Sequence, residues 1–311
     1  MDFLYLLKEI RTPFLTTLFS AITPLGDEIG FLVLAVIVYW CVSCVMGYYI
    51  MFVGYFGLLG NQTLKLLCRV PRPWVMDPNF TTAVKDVEGD LINGRGYSFP
   101  SGHAQDAVAS FGAVARFTRR AWVRLLCIAV AVLVIFSRMY LGVHTPLDVG
   151  VGAATSLVLM LALFPLFRSV TEKQRRIPVL MSILLLMSVG CLIFLTSYTF
   201  PAEMDAKQLA DGVKNSYTLL GAAASAFLSG LIWYRRGSFE TSAKWYAQIL
   251  KVVLGLGLLL AIRTGLKAPL NALLGEHVGQ AVRYFFVTGF ALTLWPMTFR
   301  WFSKLGRKGS V

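Results

Sequence analysis

The sequence predicts an all-α fold: a polytopic transmembrane helix bundle of about nine spans, preceded by an N-terminal interfacial helix. Three observations carry this prediction. Of 311 residues, 57% are hydrophobic and only 14% are charged, about half the charged share of a soluble domain. Apolar runs of spanning length recur from one end to the other, each near the ~20 residues that cross a bilayer as a helix. Cations collect at the ends of these runs. The net charge of +13 would point to nucleic acid in a soluble chain. Here it reads as membrane orientation, and no nucleic-acid partner is expected. Disorder is excluded by the apolar content.

Residues 3–22 place Phe3, Leu7, Ile10, Phe14 and Leu18 at helical spacing, with Lys8, Glu9 and Arg11 between them. That mixed face suits a helix lying in the interface, kinked at Pro13. Charge breaks the apolar run and no small-residue cleavage site follows, so it is not read as a secretory signal. Spans are expected at about 28–47, 49–68, 102–118, 121–141, 145–168, 177–199, 216–234, 247–266 and 280–301. The first two are joined so tightly that a hairpin turn is expected near Tyr48. The third is the least apolar and is placed inside the bundle. The chain divides into the N-terminal helix (1–27), a core that holds the chemistry (28–168) and further transmembrane helices (169–311).

The five cysteines, Cys41, Cys44, Cys68, Cys127 and Cys191, lie in or beside apolar runs. Their odd number argues against a disulfide framework, and Cys41-x-x-Cys44 reads as buried apolar packing. Orientation follows from counting. Of the 29 Lys+Arg, sixteen fall on the side opposite loop 69–101, where the only acids are Glu172 and Glu240. The positive-inside rule makes that side cytoplasmic. The loop side, and with nine spans the N-terminus, then faces out, and the C-terminus faces in.

Three polar clusters interrupt the apolar chain: Lys65 with Arg72-Pro73, Pro100-Ser101-Gly102-His103, and Ser137-Arg138 with His144 and Asp148. In the predicted topology all three reach the same membrane face. Lys65, Arg72 and Arg138 bring three positive charges together, which implies an anionic ligand. Arginine's planar fork suits phosphate oxygens. Ser101-Gly102 opens a helix whose free N–H groups favour an anion, and Gly102 lets the backbone come close. His144, four residues before Asp148 and expected on the same helix face, is the candidate nucleophile, with Asp148 holding its ring. His103 is the candidate acid and base. Asp106, one turn after His103, is a candidate support for His103 or Arg138. Trp74 is a candidate lining residue of the substrate mouth, where Phe80, Tyr97 and Phe99 could shape lipid entry. No carboxylate cluster has metal-ligand spacing, so neither metal nor cofactor is expected. His277 reads as a surface histidine, and Asn79-Phe80-Thr81 fits a glycosylation triplet.

The pattern K-x6-RP, PSGH, SR-x5-H-x3-D resembles the signature of the type 2 phosphatidic acid phosphatase superfamily over about residues 28–168, with every signature position matched. That family includes membrane lipid phosphatases, prenyl diphosphate phosphatases and glucose-6-phosphatase, with soluble vanadium haloperoxidases as relatives. The resemblance implies His144 as nucleophile, Asp148 as its partner and His103 as acid. It implies Lys65, Arg72, Ser101, Gly102 and Arg138 as phosphate ligands. The expected activity is metal-independent hydrolysis of a lipid phosphate monoester or prenyl diphosphate, releasing inorganic phosphate at the extracytoplasmic face. The alternatives are a glucose-6-phosphatase-like sugar phosphate hydrolase and a non-catalytic lipid-phosphate transporter or scaffold.

Overall fold

The computed structural model describes residues 1–83, 96–168, 176–201, 204 and 206–305. Among these, all regular structure is helical. The chain forms two compact units. One comprises Met1–Leu34 and Val53–Phe164; the other comprises Ala35–Phe52 and Pro165–Val311.

In the first unit the N-terminal segment is two helices, α1 (Asp2–Glu9) and α2 (Pro13–Ile22), not one kinked helix. Thr12 caps α2, its hydroxyl accepting from Leu15 N–H at 3.2 Å. Pro13 sits at the first helical position, where its missing N–H costs nothing. Asp27 caps α3 (Glu28–Cys41), accepting from Gly30 N–H at 2.7 Å. Helix α4 (Cys44–Cys68) follows. The turn between α3 and α4 lies at Val42–Ser43, not near Tyr48, which is buried inside α4. Ser43 sets that start, because its hydroxyl accepts from Met46 N–H at 3.3 Å.

After α5 (Pro73–Met76) the chain enters α6 (Gly102–Ala107), a π-helical turn (Val108–Gly112) and α7 (Ala113–Phe117) without a break. This run buries Ala104, Gln105, Ala107, Ala109, Ser110, Ala113 and Ala115, as its low apolar content suggested. Helices α8 (Ala121–Tyr140) and α9 (Pro146–Arg168) turn Leu125, Leu126, Val132, Leu157, Val158 and Leu161 outward, as lipid-facing helices do.

The second unit holds α10 (Arg176–Ser197), α11 (Ala206–Arg236), α12 (Trp245–Gly265), α13 (Lys267–Leu274), α14 (Glu276–Gly289), α15 (Trp295–Met297) and α16 (Phe299–Lys304). Helices α11 and α14 pack closely, since a Cβ at Gly221 would collide with the Ala281 carbonyl. A π-helical turn, Phe290–Leu294, disrupts the ladder between α14 and α15. Buried donors take up its carbonyls: Trp40 Nε1 reaches Ala291 O at 2.8 Å, while Trp233 Nε1 and Tyr39 OH reach Leu292 O at 2.7 and 2.9 Å.

Six helical stretches among the described residues are long and apolar enough to cross a membrane, or seven if the bent pair Pro13–Gly26 and Glu28–Cys41 counts as one. The nine-span count is not reproduced. Run 28–47 is interrupted at Val42–Ser43, run 102–118 is short and polar, and run 280–301 continues through its π-helical turn but is interrupted at Thr298.

Candidate active site

The first unit brings the three polar clusters together. Lys65 lies one turn after Asn61 on α4, so both side chains share a face. Asn61 Nδ2 donates to Pro100 O at 3.2 Å and to Gln105 Oε1 at 3.1 Å, which ties α4 to the turn before α6. Arg72 caps α5 and is buried. Its Nε donates to Gly96 O, and its Nη1 to Val143 O and to His144 Nε2, each at 3.0 Å.

Ser101 is the N-cap of α6 and fully buried. Its own N–H donates to Asp148 O at 3.0 Å. Helix α9 passes so close that a Cβ at Gly152 would collide with the Ser101 carbonyl. At Gly102, by contrast, an added Cβ would meet nothing within 4 Å. This glycine borders open space, as a backbone cradle for a phosphate requires.

Arg138 ends α8 and is 2% exposed. Its Nη1 donates to Thr23 Oγ1 at 2.7 Å, while its buried Nε has no partner among the described residues. A buried guanidinium N–H left open costs free energy until an acceptor arrives, so the residues fit an oxyanion. After Arg138 a Schellman motif reverses the chain. Val143 N–H returns to Arg138 O at 3.1 Å and Gly142 N–H to Met139 O at 3.0 Å, with Gly142 at φ 76°. The reversal aims the Val143 carbonyl and His144 at Arg72.

His144 therefore precedes α9 and does not share a helix face with Asp148 as the spacing suggested. What fixes Asp148 is a capping box. Thr145 N–H donates to Asp148 Oδ2 at 2.7 Å, and Asp148 N–H donates to Thr145 Oγ1 at 3.3 Å. Pro146 takes the first helical position. Asp148 Oδ2 then stands 3.6 Å from His144 Nδ1, beyond a good hydrogen bond. Ser98 fills the gap: its hydroxyl donates to Asp148 Oδ2 at 2.5 Å and lies 3.3 Å from His144 Nδ1.

Arginine can only donate, so His144 Nε2 accepts from Arg72 and Nδ1 carries the proton. The Nε2 lone pair thus points at the cation cluster. Burial, then the charges of Arg72, Arg138 and Lys65, hold this imidazole neutral, well below its ordinary value of 6.5. His103 feels Arg138, His144, Lys65 and Arg72, so the two histidines share one electrostatic environment.

Asp106 borders the cluster through Lys65, and Trp74 through Val143. The charged neighbours of Asp106 are Glu28, Lys65 and Asp27, and the carboxylate that acts on Arg138 is Asp27. Trp74 packs against the cluster of Phe19, Tyr140, Leu141 and Val143. Phe80 is buried rather than placed at a mouth. It meets Tyr5 edge-on at 5.4 Å, with Arg11 5.5 Å from its ring. Sequence reasoning passed over Asn61, Ser98, Gln105 and Thr145. Only Thr145-x-x-Asp148 carried a local signal, the capping-box spacing.

Residues 44–172 match the PAP2 superfamily, and residues 217–308 match a PAP2 superfamily phosphatase transmembrane extension. Phosphatidylglycerophosphatase B of Bacillus subtilis is 31% identical over 178 residues, covering 54% of this chain and 80% of that protein. The chain belongs to the PAP2 superfamily. The PAP2 segment contains the whole cluster from Lys65 to Asp148. The second match gives residues 217–308 a family context that the sequence pattern alone did not supply. An undecaprenyl-diphosphatase of Sulfolobus acidocaldarius is 53% identical over 57 residues, 18% of this chain and 27% of that protein. No solved structure matches significantly. The protein is a PAP2-family phosphatase and a multi-pass membrane protein.

Proposed function

We propose that the protein hydrolyses a lipid phosphate monoester or a prenyl diphosphate through a phosphohistidine at His144, without a metal ion. The observation that carries this reading is the His144 geometry: Nε2 meets Arg72 at 3.0 Å, while Nδ1 faces Ser98 and Asp148. The names of the relatives support the substrate class, since one is a phosphatidylglycerophosphatase and the other an undecaprenyl-diphosphatase.

In this mechanism Arg72 Nη1 turns from Nε2 to a phosphate oxygen, and the released Nε2 lone pair forms a bond to phosphorus while the P–O bond to the lipid breaks. His103, entering the cycle as the imidazolium beside the bound phosphate anion, gives its proton to the leaving oxygen; the neutral ring then takes a proton from water, whose oxygen displaces His144. Phosphate leaves and the neutral imidazole returns. Lys65, Arg72, Arg138 and the N–H groups opening α6 stabilise the equatorial oxygens, and Ser101 Oγ is placed to add a donor. Among the described residues no group of three or more His, Cys, Asp or Glu could hold a metal ion.

The proposed location is the extracytoplasmic face, with nine crossings, the N-terminus outside and the C-terminus inside. Nine crossings require α3, the α6–α7 run and the α14–α16 run to cross as shorter or broken spans. The division at residues 27 and 168 remains part of this proposal.

The test is phosphate release by detergent-purified protein in excess chelator. The panel is phosphatidylglycerol phosphate, phosphatidic acid, undecaprenyl diphosphate and glucose 6-phosphate. Release from a lipid or prenyl substrate, loss of it in His144→Ala, and an acid-labile phosphoenzyme trapped only when His144 is present are expected. Activity confined to glucose 6-phosphate, or abolished by the chelator, would overturn the proposal.

A further inference from the structure

Ser98 has no place in the signature, yet it is fully buried between the two groups that the signature pairs. Its N–H donates to Val70 O at 2.8 Å, which pins its backbone to the strand of chain leading to Arg72. Its hydroxyl has one proton and two lone pairs. Asp148 Oδ2, at 2.5 Å, can only accept, so it takes the proton. A lone pair is then left for the His144 Nδ1–H at 3.3 Å. The direct His144–Asp148 distance of 3.6 Å leaves the hydroxyl as the shorter route from ring to carboxylate. Oδ2 also accepts the Thr145 N–H, so the capping box holds the far end of this chain rigid.

We propose that Ser98 is a positioning residue for the nucleophile. Its hydroxyl links His144 Nδ1–H to Asp148, holds the tautomer whose unprotonated Nε2 faces Arg72, and passes on the carboxylate's stabilisation of the charge that grows on the ring as Nε2 bonds phosphorus. The inference rests on the reading of His144 as nucleophile and names what orients it. No covalent step is added, and the hydroxyl proton stays on Ser98.

The experiment is a double-mutant cycle of Ser98→Ala and Asp148→Asn, read by steady-state phosphate release and by the rate of phosphoenzyme formation. Ser98→Ala is expected to lower kcat by about 10–100-fold, by analogy with hydrogen-bond partners that orient metal-bound imidazoles, with KM within about twofold. In the Asp148→Asn background the same change should cost less than about threefold, because the link is already broken. A merely structural serine would lower both backgrounds by the same factor, and that result overturns the inference. So does a Ser98→Ala enzyme with wild-type kcat.

Should the variant fail to fold, nitrogen-15 NMR of histidine-labelled wild-type protein decides. There are three histidines, and His144→Gln assigns the signal. A protonated Nδ1 whose N–H proton is shifted strongly downfield by a hydrogen bond supports the link; the opposite tautomer, or an Nδ1–H at the position of an unbonded imidazole, overturns it. If His144→Ala still forms a phosphoenzyme, the mechanism itself falls. If wild type traps phosphate on His144 while Ser98→Ala runs at full rate, only the role of Ser98 falls.

Discussion

His144 is 2% exposed, and its neutrality is imposed by burial and three surrounding cations. That suits a nucleophile, since a protonated ring has no lone pair to give, but it has a consequence for stability. The folded value lies below the unfolded value of 6.5. As the pH falls below 6.5, the unfolded chain therefore takes up a proton at this ring that the folded chain refuses, and stability drops. The slope attributable to this residue is at most about 1.4 kcal/mol per pH unit. Comparing denaturation of wild type and His144→Gln at pH 7.5 and 5.5 isolates it: the wild type is expected to lose more stability than the variant on acidification. Equal losses would mean that the ring titrates normally. The residues of the proposed cradle stand out in the sequence because Lys65 to Arg72, Ser101 to His103, and Arg138 to Asp148 keep fixed local spacings. Ser98 was not legible, because its partners lie 46 and 50 positions away and no periodicity connects them.

Caps and close approaches, more than hydrophobic periodicity, fix the elements that carry the site. The Schellman turn at Gly142 aims His144, the capping box at Thr145 aims Asp148, and Gly152 lets α9 lie against the turn that presents Ser101 and Gly102. Gly152 gives a sharp prediction. Its Cβ would meet backbone, the Ser101 carbonyl, which cannot swing aside as a side-chain tip could. Gly152→Ala must therefore push α9 and the cradle apart. A misplacement near 1 Å costs about 10²-fold in rate, so phosphate release should fall by roughly that factor while the protein still elutes as a folded particle in detergent. A wild-type rate would show that the approach is looser than described. Element boundaries were read less well than element existence. The chain stops at Ser43 rather than Tyr48 because a hydroxyl takes up a helix N–H there, and it breaks at Thr12 for the same reason. Such caps are one residue wide and invisible to a count of apolar spacing. The π-helical turns at Val108–Gly112 and Phe290–Leu294 are equally silent in the pattern.

At the scale of the whole molecule the cations predict which way the proposed cradle faces. Hydropathy predicts spans but not their direction; direction comes from the cations. In the nine-span topology sixteen of 29 Lys+Arg fall on the side away from the site, in the segments following Ala115, Phe167, Tyr234 and Phe299, where only two acids accompany them. Translocating that side would carry this charge across the membrane against its potential, at ~2.3 kcal/mol per charge per 100 mV. The side holding Lys65, Arg72 and Arg138 carries thirteen cations, three of them sequestered by the cradle. Asn79 is exposed next to the buried Phe80, and Lys304 is exposed at the end of α16. In a variant with its five cysteines replaced, Asn79→Cys should react with a membrane-impermeant maleimide on intact cells. Lys304→Cys should react only after permeabilisation. The reverse pattern would place the cradle in the cytoplasm, and the phosphate released from the lipid would then appear inside the cell rather than outside it.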